Sequence, residues 1–349
     1  MYIKKIWIVI VVIHISCFTG ITQTRYLDDT YFTNIQIDTA IKFGSNVTDV
    51  GAIQDLYMDF YQPIGDTISA RPLIIWIHGG GFTSGSRKES HIQLWCNEFA
   101  RRGYVSTAID YRLGVSGGST GKIKAIYRSV QDAKAAIRFF RQNASFHKID
   151  VNKIVLAGAS VGGFAAVHTA YWDTDELPAS IDTITLGNLE GNSGNPGYPS
   201  NPNAVVNFWG AIKDSTWIDA GEPIVVSCAG VEDSVVYPGS HTWPTSGDEH
   251  GSIVIDRVAK SKNITDTLRM FSGSKHTLAG GSGAYQLARW DTATIFVAEF
   301  LYCNLIISCN STGIFCSLSL IIIKVSRNSY NNFVYFISYK FFCVSLYFL

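Results

Sequence analysis

From about residue 50 to residue 302, short apolar runs alternate with stretches in which apolar residues recur every three or four positions. Leu56–Tyr61, Pro72–His78 and Tyr104–Tyr111 are such runs and predict strands. Ile126, Val130, Ala133, Ile137 and Phe140 recur at helical spacing and predict a helix over Ile123–Asn143 with one buried stripe. Asp132 and Arg138 fall outside that stripe, so they are expected on the helix surface. Lys153–Ala157 reads as a central strand, and Gly162–Tyr171, rich in small and apolar residues, as the buried helix after it. Ala204–Gly210, Pro223–Cys228 and Thr267–Phe271 supply later strands; Gly251–Lys260 and Ala284–Tyr302 read as helices. Gly187–Pro202, dense in Gly, Asn, Ser and Pro, is a loop expected near the entrance of a site. This alternation favours an α/β fold with a mainly parallel central sheet and helices on both faces.

Both ends break the pattern. Lys4 and Lys5, the apolar run Ile6–Ile15 and then small and polar residues have the order of a secretory signal peptide, so residues 1–22 are expected to be removed. Cys17 leaves a lipoprotein signal as an alternative. Residues 303–349 contain no Asp or Glu and are expected to form an apolar extension of uncertain order. Phe333–Leu349 approaches membrane-spanning length there, but Lys340 interrupts it. Residues 23–302 remain as one catalytic-sized domain, in a protein expected to be secreted or held in the cell envelope. The 28 basic residues equal the 28 acidic ones, which removes any broad electrostatic reason to expect a nucleic-acid partner. Membrane association is expected only through the termini.

The candidate chemistry begins where the central strand runs into Gly158-Ala159-Ser160-Val161-Gly162. A strand, G-x-S-x-G and a small-residue helix describe a tight turn that lifts a serine above the sheet edge, with glycines where a side chain would collide with a neighbour. Ser160 then stands at a helix N-terminus, and the Val161 N–H faces any negative charge that develops beside it. Upstream, Leu73–Ile77 runs into His78-Gly79-Gly80-Gly81-Phe82. Three consecutive glycines suit a backbone that must approach a ligand closely.

With these two motifs and Asp110-Tyr111-Arg112-Leu113 in this order, the chain resembles the HGGG-bearing esterases and lipases of the α/β-hydrolase superfamily. That branch includes the carboxylesterases and the hormone-sensitive-lipase-like enzymes, and the likeness extends to about Tyr302. It implies the α/β-hydrolase fold, with Gly80 and Gly81 as oxyanion donors beside Val161 and His78 as a positioning residue. The family usually has alanine after the nucleophile; here the branched Val161 narrows the space beside Ser160. Arg112 is expected to belong to the scaffold, paired with a carboxylate such as Asp132.

A serine nucleophile needs an imidazole to accept its proton and a carboxylate to orient that imidazole, in the chain order Ser, acid, His on this fold. Asp233, in the turn after the strand Pro223–Cys228, is the expected acid, with Glu232 and Asp248 as rivals. His276, in the turn after Thr267–Phe271, is the expected base. His241 and His250 also satisfy the order, although His241 lies in an insertion and His250 opens an apparent helix. Neither histidine-pair nor cysteine-pair metal spacings occur, so no metal and no cofactor are expected.

Together these features predict a serine esterase acting through an acyl-enzyme on a small-molecule or polysaccharide-linked ester. The further resemblance to secreted bacterial feruloyl and acetyl-xylan esterases implies plant-polysaccharide esters. A serine peptidase of the same fold and an inactive binding or adhesion protein are the competing expectations. Trp172, Trp209, Trp217, Trp243 and Tyr198 are candidates for an aromatic pocket. On the superfamily's arrangement Cys96 could pair with Cys303 or with Cys309, or remain a thiol.

Overall fold

The computed structural model describes residues 24–307, 319–327 and 333–341. Its strands are β1 (Ile35–Val47), β2 (Ile53–Pro63), β3 (Arg71–Ile77), β4 (Val105–Ile109), β5 (Ile149–Ala159), β6 (Ala204–Phe208), β7 (Ala211–Ile212), β8 (Ile224–Gly230), β9 (Ser240–Trp243), β10 (Gly247–Gly251) and β11 (Asp266–Phe271). The helices are α1 (Ser90–Arg101), α2 (Gly121–Gln142), α3 (Ala144–His147), α4 (Val161–Tyr171), α5 (Thr183–Leu186), α6 (Ser252–Ser261) and α7 (Gly283–Leu301). Eight strands form one sheet in the order β1-β2-β4-β3-β5-β6-β8-β11. β1, β2 and β4 pair antiparallel, and every pairing from β4 to β11 is parallel. β3 and β5 lie near the centre, so their ends carry the two glycine-rich motifs side by side.

The alternation within β3 divides the core. Leu73, Ile75 and Ile77 enter one cluster with residues of α2, α4 and α6, while Ile74 and Trp76 enter another with residues of α1 and α7. Helices therefore cover both faces, as the alternating pattern predicts. The long edge strand β1 has no counterpart among the predicted strands. Its pairing with β2 shifts between Asp38 and Ile41 and again between Lys42 and Gly44, and these bulges break the period of two that marks a strand.

The surface positions expected for Asp132 and Arg138 are corrected. Both side chains are buried, because Gly187–Pro202 lies over the polar face of α2 instead of at the site entrance. Arg138 donates to the carbonyls of Glu190 and Gly194. Gln131 donates to those of Leu186 and Asn188, and Ser193 to the Asp132 carboxylate. Arg112 meets Asp132 at 2.9 Å, as expected of a scaffold pair. A loop without secondary structure thus gives a polar helix face its hydrogen bonds, and α2 is buried nearly all round.

Expectations about the insertion, the ends and the cysteines either change or lie outside the described residues. His250 lies in β10, which forms a small sheet with β7 and β9, and α6 begins two residues later. Within the apolar extension, β12 (Ser319–Arg327) and β13 (Phe333–Phe341) pair antiparallel, which makes part of the candidate spanning stretch a strand. No helix among the described residues is long and apolar enough to cross a membrane. The expected signal segment 1–22, with Cys17, lies outside the described residues. Cys96 is a buried free thiol against Ser106, its pKa raised by burial, so among the described residues it forms no disulfide; Cys309 lies outside them.

Under the serine turn, α4 carries His168, fully buried. Its Nδ1 donates to the Phe164 carbonyl at 2.7 Å and its Nε2 accepts the Lys213 N–H at 3.1 Å. Burial first, with the cations Lys213 and Lys122 adding to it, lowers its pKa from the ordinary 6.5 to about 3. Between those values the unfolded chain takes up a proton that the folded chain refuses, so this contribution is complete above pH 6.5 and is lost as pH falls toward 3. Urea unfolding measured across that range should show stability falling with acid. His168→Gln should flatten that part of the slope, and an unchanged slope in the variant would contradict the assignment.

Candidate active site

The turn after β5 has the geometry the motif demands. Ser160 sits at φ 56°, ψ −125°, in a backbone region that L-residues rarely adopt, and immediately precedes α4. Two tight approaches hold it there. A Cβ built on Gly162 would lie 2.1 Å from the Ile77 carbonyl oxygen, and one on Gly158 would lie 2.1 Å from the Gly162 carbonyl oxygen. Only glycine permits α4 to start so close to β3 and β5.

Ser160 Oγ lies 3.0 Å from His276 Nε2, and His276 Nδ1 lies 2.8 Å from Asp233 Oδ2. The other Asp233 oxygen accepts the N–H groups of Val235 and Val236, each at 2.9 Å, so the buried carboxylate is aimed by the backbone of its own turn. His276 Nδ1 donates to that carboxylate, which leaves Nε2 able to accept the serine proton. The rivals do not converge on Ser160. Glu232 is exposed, and Asp248 accepts from Thr242. His241 stacks on Tyr237, while His250 meets Ser240.

The glycine loop after β3 crosses in front of Ser160. Gly80 and Gly81 have φ of 102° and 66°, and no acceptor in the described residues takes their N–H groups or that of Val161. His78 is buried and stacked on Tyr111 with centroids 4.5 Å apart. Its Nδ1 pairs with the Gly79 carbonyl at 2.8 Å, and burial lowers its pKa. The ring is held within the loop and lies outside the Ser160–His276–Asp233 chain.

The far end of this loop is held by residues outside both glycine-rich motifs. Arg87 Nε donates to Asp59 on β2 at 2.8 Å, its guanidinium also pairs with Asp110, and its backbone N–H donates to Asp110 at 2.9 Å. Burial opposes the charge, but the hydrogen bond to Asp59 and the field of Asp110 hold the Arg87 pKa above its ordinary value. Asp110 was visible as part of the Asp-Tyr-Arg-Leu segment; Arg87 and Asp59 carry no local spacing signal.

A cavity of about 750 Å³ opens over Ser160. Val115, Val161, Val235 and Val236 contribute apolar wall, and Trp209 and Trp290 contribute aromatic wall. Of the predicted aromatics only Trp209 lines it. Trp172 and Trp217 stack on each other at 4.8 Å, Trp217 and Trp243 border a smaller neighbouring cavity, and Tyr198 is exposed away from both.

The BD-FAE family profile matches residues 58–236, just over half of the chain, from the middle of β2 to the Asp233 turn. The chain belongs to the BD-FAE family. This BD-FAE member is 28% identical over 221 residues to the quorum-quenching protein AidA of Acinetobacter baumannii, covering 62% of this chain and 68% of that protein. It is 36% identical over 124 residues to venom carboxylesterase-6 of Apis mellifera, covering 35% of this chain. That match spans 21% of the bee protein, about a fifth of its length. The butyrate-bound esterase of Thermogutta terrifontis superposes with a TM-score of 0.57 at 22% identity, covering 83% of this chain and all of that one. That likeness supports the α/β-hydrolase fold of this BD-FAE member.

The packing at the turn makes a direct prediction. Gly162→Ala should lower stability by about 1–3 kcal/mol or more, because the added methyl cannot be accommodated without moving β3. Gly283→Ala, at a helix start with open space around it, should be nearly neutral. Urea midpoints of the two variants test the contrast, and equal midpoints would contradict it.

Proposed function

We propose that the chain is a serine hydrolase of carboxylic esters, working through an acyl-enzyme on Ser160. The observation that carries the reading is the continuous hydrogen-bonded chain from Asp233 through His276 to Ser160. His276 Nε2 takes the Ser160 proton as Oγ attacks the ester carbonyl, and Asp233 stabilises the imidazolium that forms. The N–H groups of Gly80, Gly81 and Val161 stabilise the oxyanion of the tetrahedral intermediate. Its collapse expels the alcohol, which takes the proton from His276. Water, deprotonated by the same imidazole, then releases the acid and restores Ser160.

The apolar wall around Val161 suits the acyl portion, and its branched side chain limits bulk immediately beside the nucleophile. Acetyl or feruloyl esters of plant polysaccharides are the substrate class we propose on the sequence resemblance. Secretion or retention in the cell envelope is proposed on the order of charge and hydrophobicity in residues 1–22.

Ser160→Ala and His276→Ala should each reduce kcat on a short-chain p-nitrophenyl ester by at least about a thousandfold, and Asp233→Asn by about ten thousandfold, with native circular dichroism retained. Full turnover in either of the first two variants would overturn the reading. A matched amide assayed beside the ester separates esterase from peptidase: the ester should be the far better substrate.

A further inference from the structure

The cavity has two unlike ends around Ser160. Lys122 at one end is paired, its Nζ 2.5 Å from the buried Glu249 carboxylate, which it shares with Lys213 at 3.7 Å and which also accepts from Trp243. At the other end stands Glu89, just before α1. Its carboxylate neither caps the helix nor finds any hydrogen-bond or ion-pair partner among the described residues. Lys88, its exposed chain neighbour, does not line the cavity. Glu89 is thus the one carboxylate on the described cavity wall, and no cation stands against it.

Its neighbours are aromatic. His91 lines the same end and packs against Trp95 at 5.3 Å and Trp290 at 6.1 Å. Burial lowers the His91 pKa, so it adds no positive charge there at neutral pH. This end is built onto the histidine turn: Trp290 Nε1 and Gln286 Nε2 both donate to the Thr277 carbonyl, at 2.8 and 3.0 Å, next to His276. Because His276 must protonate the departing oxygen, the alcohol portion of an ester has to lie on this side. We propose that Glu89, with the faces of Trp290 and His91, forms a subsite for an alcohol portion that carries an ammonium group. A carboxylate supplies long-range attraction and the indole face supplies cation–π contact, and the concave wall strengthens both.

The inference rests on the ester-hydrolase reading, and its test separates the two. Wild type, Glu89→Gln and Glu89→Asp are assayed on 4-(trimethylammonio)phenyl acetate and its neutral isostere 4-tert-butylphenyl acetate. The intrinsic reactivity of each ester cancels when the ratio of their kcat/KM values is compared between proteins. Glu89→Gln should lower the cationic-to-neutral ratio about tenfold, and Glu89→Asp, which keeps the charge, should restore most of it. Hydrolysis of both esters with the same ratio in wild type and Glu89→Gln would overturn the subsite and leave the hydrolase reading standing. Hydrolysis of neither ester, nor of a p-nitrophenyl ester, by wild type would overturn both. Should Glu89→Gln fail to fold, the wild-type Ki of phenyltrimethylammonium against that of tert-butylbenzene decides: the cation should bind about tenfold tighter, and equal or weaker binding overturns the subsite.

Discussion

The site depends on how closely α4 approaches β3 and β5. Glycine at 158 and 162 lets helix and strand backbones come within a distance that any Cβ would block. That approach imposes the positive φ of Ser160 and points its hydroxyl out of the sheet edge. The strain at one residue is held by a core that is apolar on both sides of the sheet, so it does not relax. The same turn leaves the Val161 N–H without an acceptor among the described residues, beside the cavity that Val161 lines, and so a single packing constraint places both the proposed nucleophile and one proposed oxyanion donor.

The remaining parts reach that point from separate strands. Asp233 follows β8 and His276 follows β11, neighbours in the sheet, while the glycine loop follows β3 on the other side of β5. The parallel register brings these turns to one edge, where open α/β sheets gather their functional loops. Each turn also has its own anchor: backbone N–H groups for Asp233, Tyr111 stacking for His78, and the Asp59–Arg87–Asp110 bridge for the end of the glycine loop. Preorganisation of this kind is what electrostatic stabilisation of an oxyanion requires.

Much of this was legible in the residues because the signals are local. The apolar runs located seven of the eight strands of the main sheet, and Gly158–Gly162 and His78–Phe82 announced turns with steric reasons for their glycines. Asp233 and His276 followed from chain order and from standing after strands. What escaped the sequence is non-local. Burial of Asp132 and Arg138 depends on a loop some 55 residues away that supplies carbonyls to a polar helix face, and periodicity along α2 cannot report it. β1 was hidden by its bulges. Arg87 and Glu89 acquire meaning only when β2, β4 and α7 are in place around them.

On the proposed reading, Ser160 alone among the serines is activated by this arrangement. Treatment of the folded protein with a fluorophosphonate, followed by peptide mass spectrometry, tests it most directly, since the reagent modifies a serine whose proton has an acceptor and whose oxyanion has donors. Stoichiometric modification at Ser160, and none in the acid-unfolded chain, is the expected result. Modification of a different residue in the folded protein, or none at all, would contradict it.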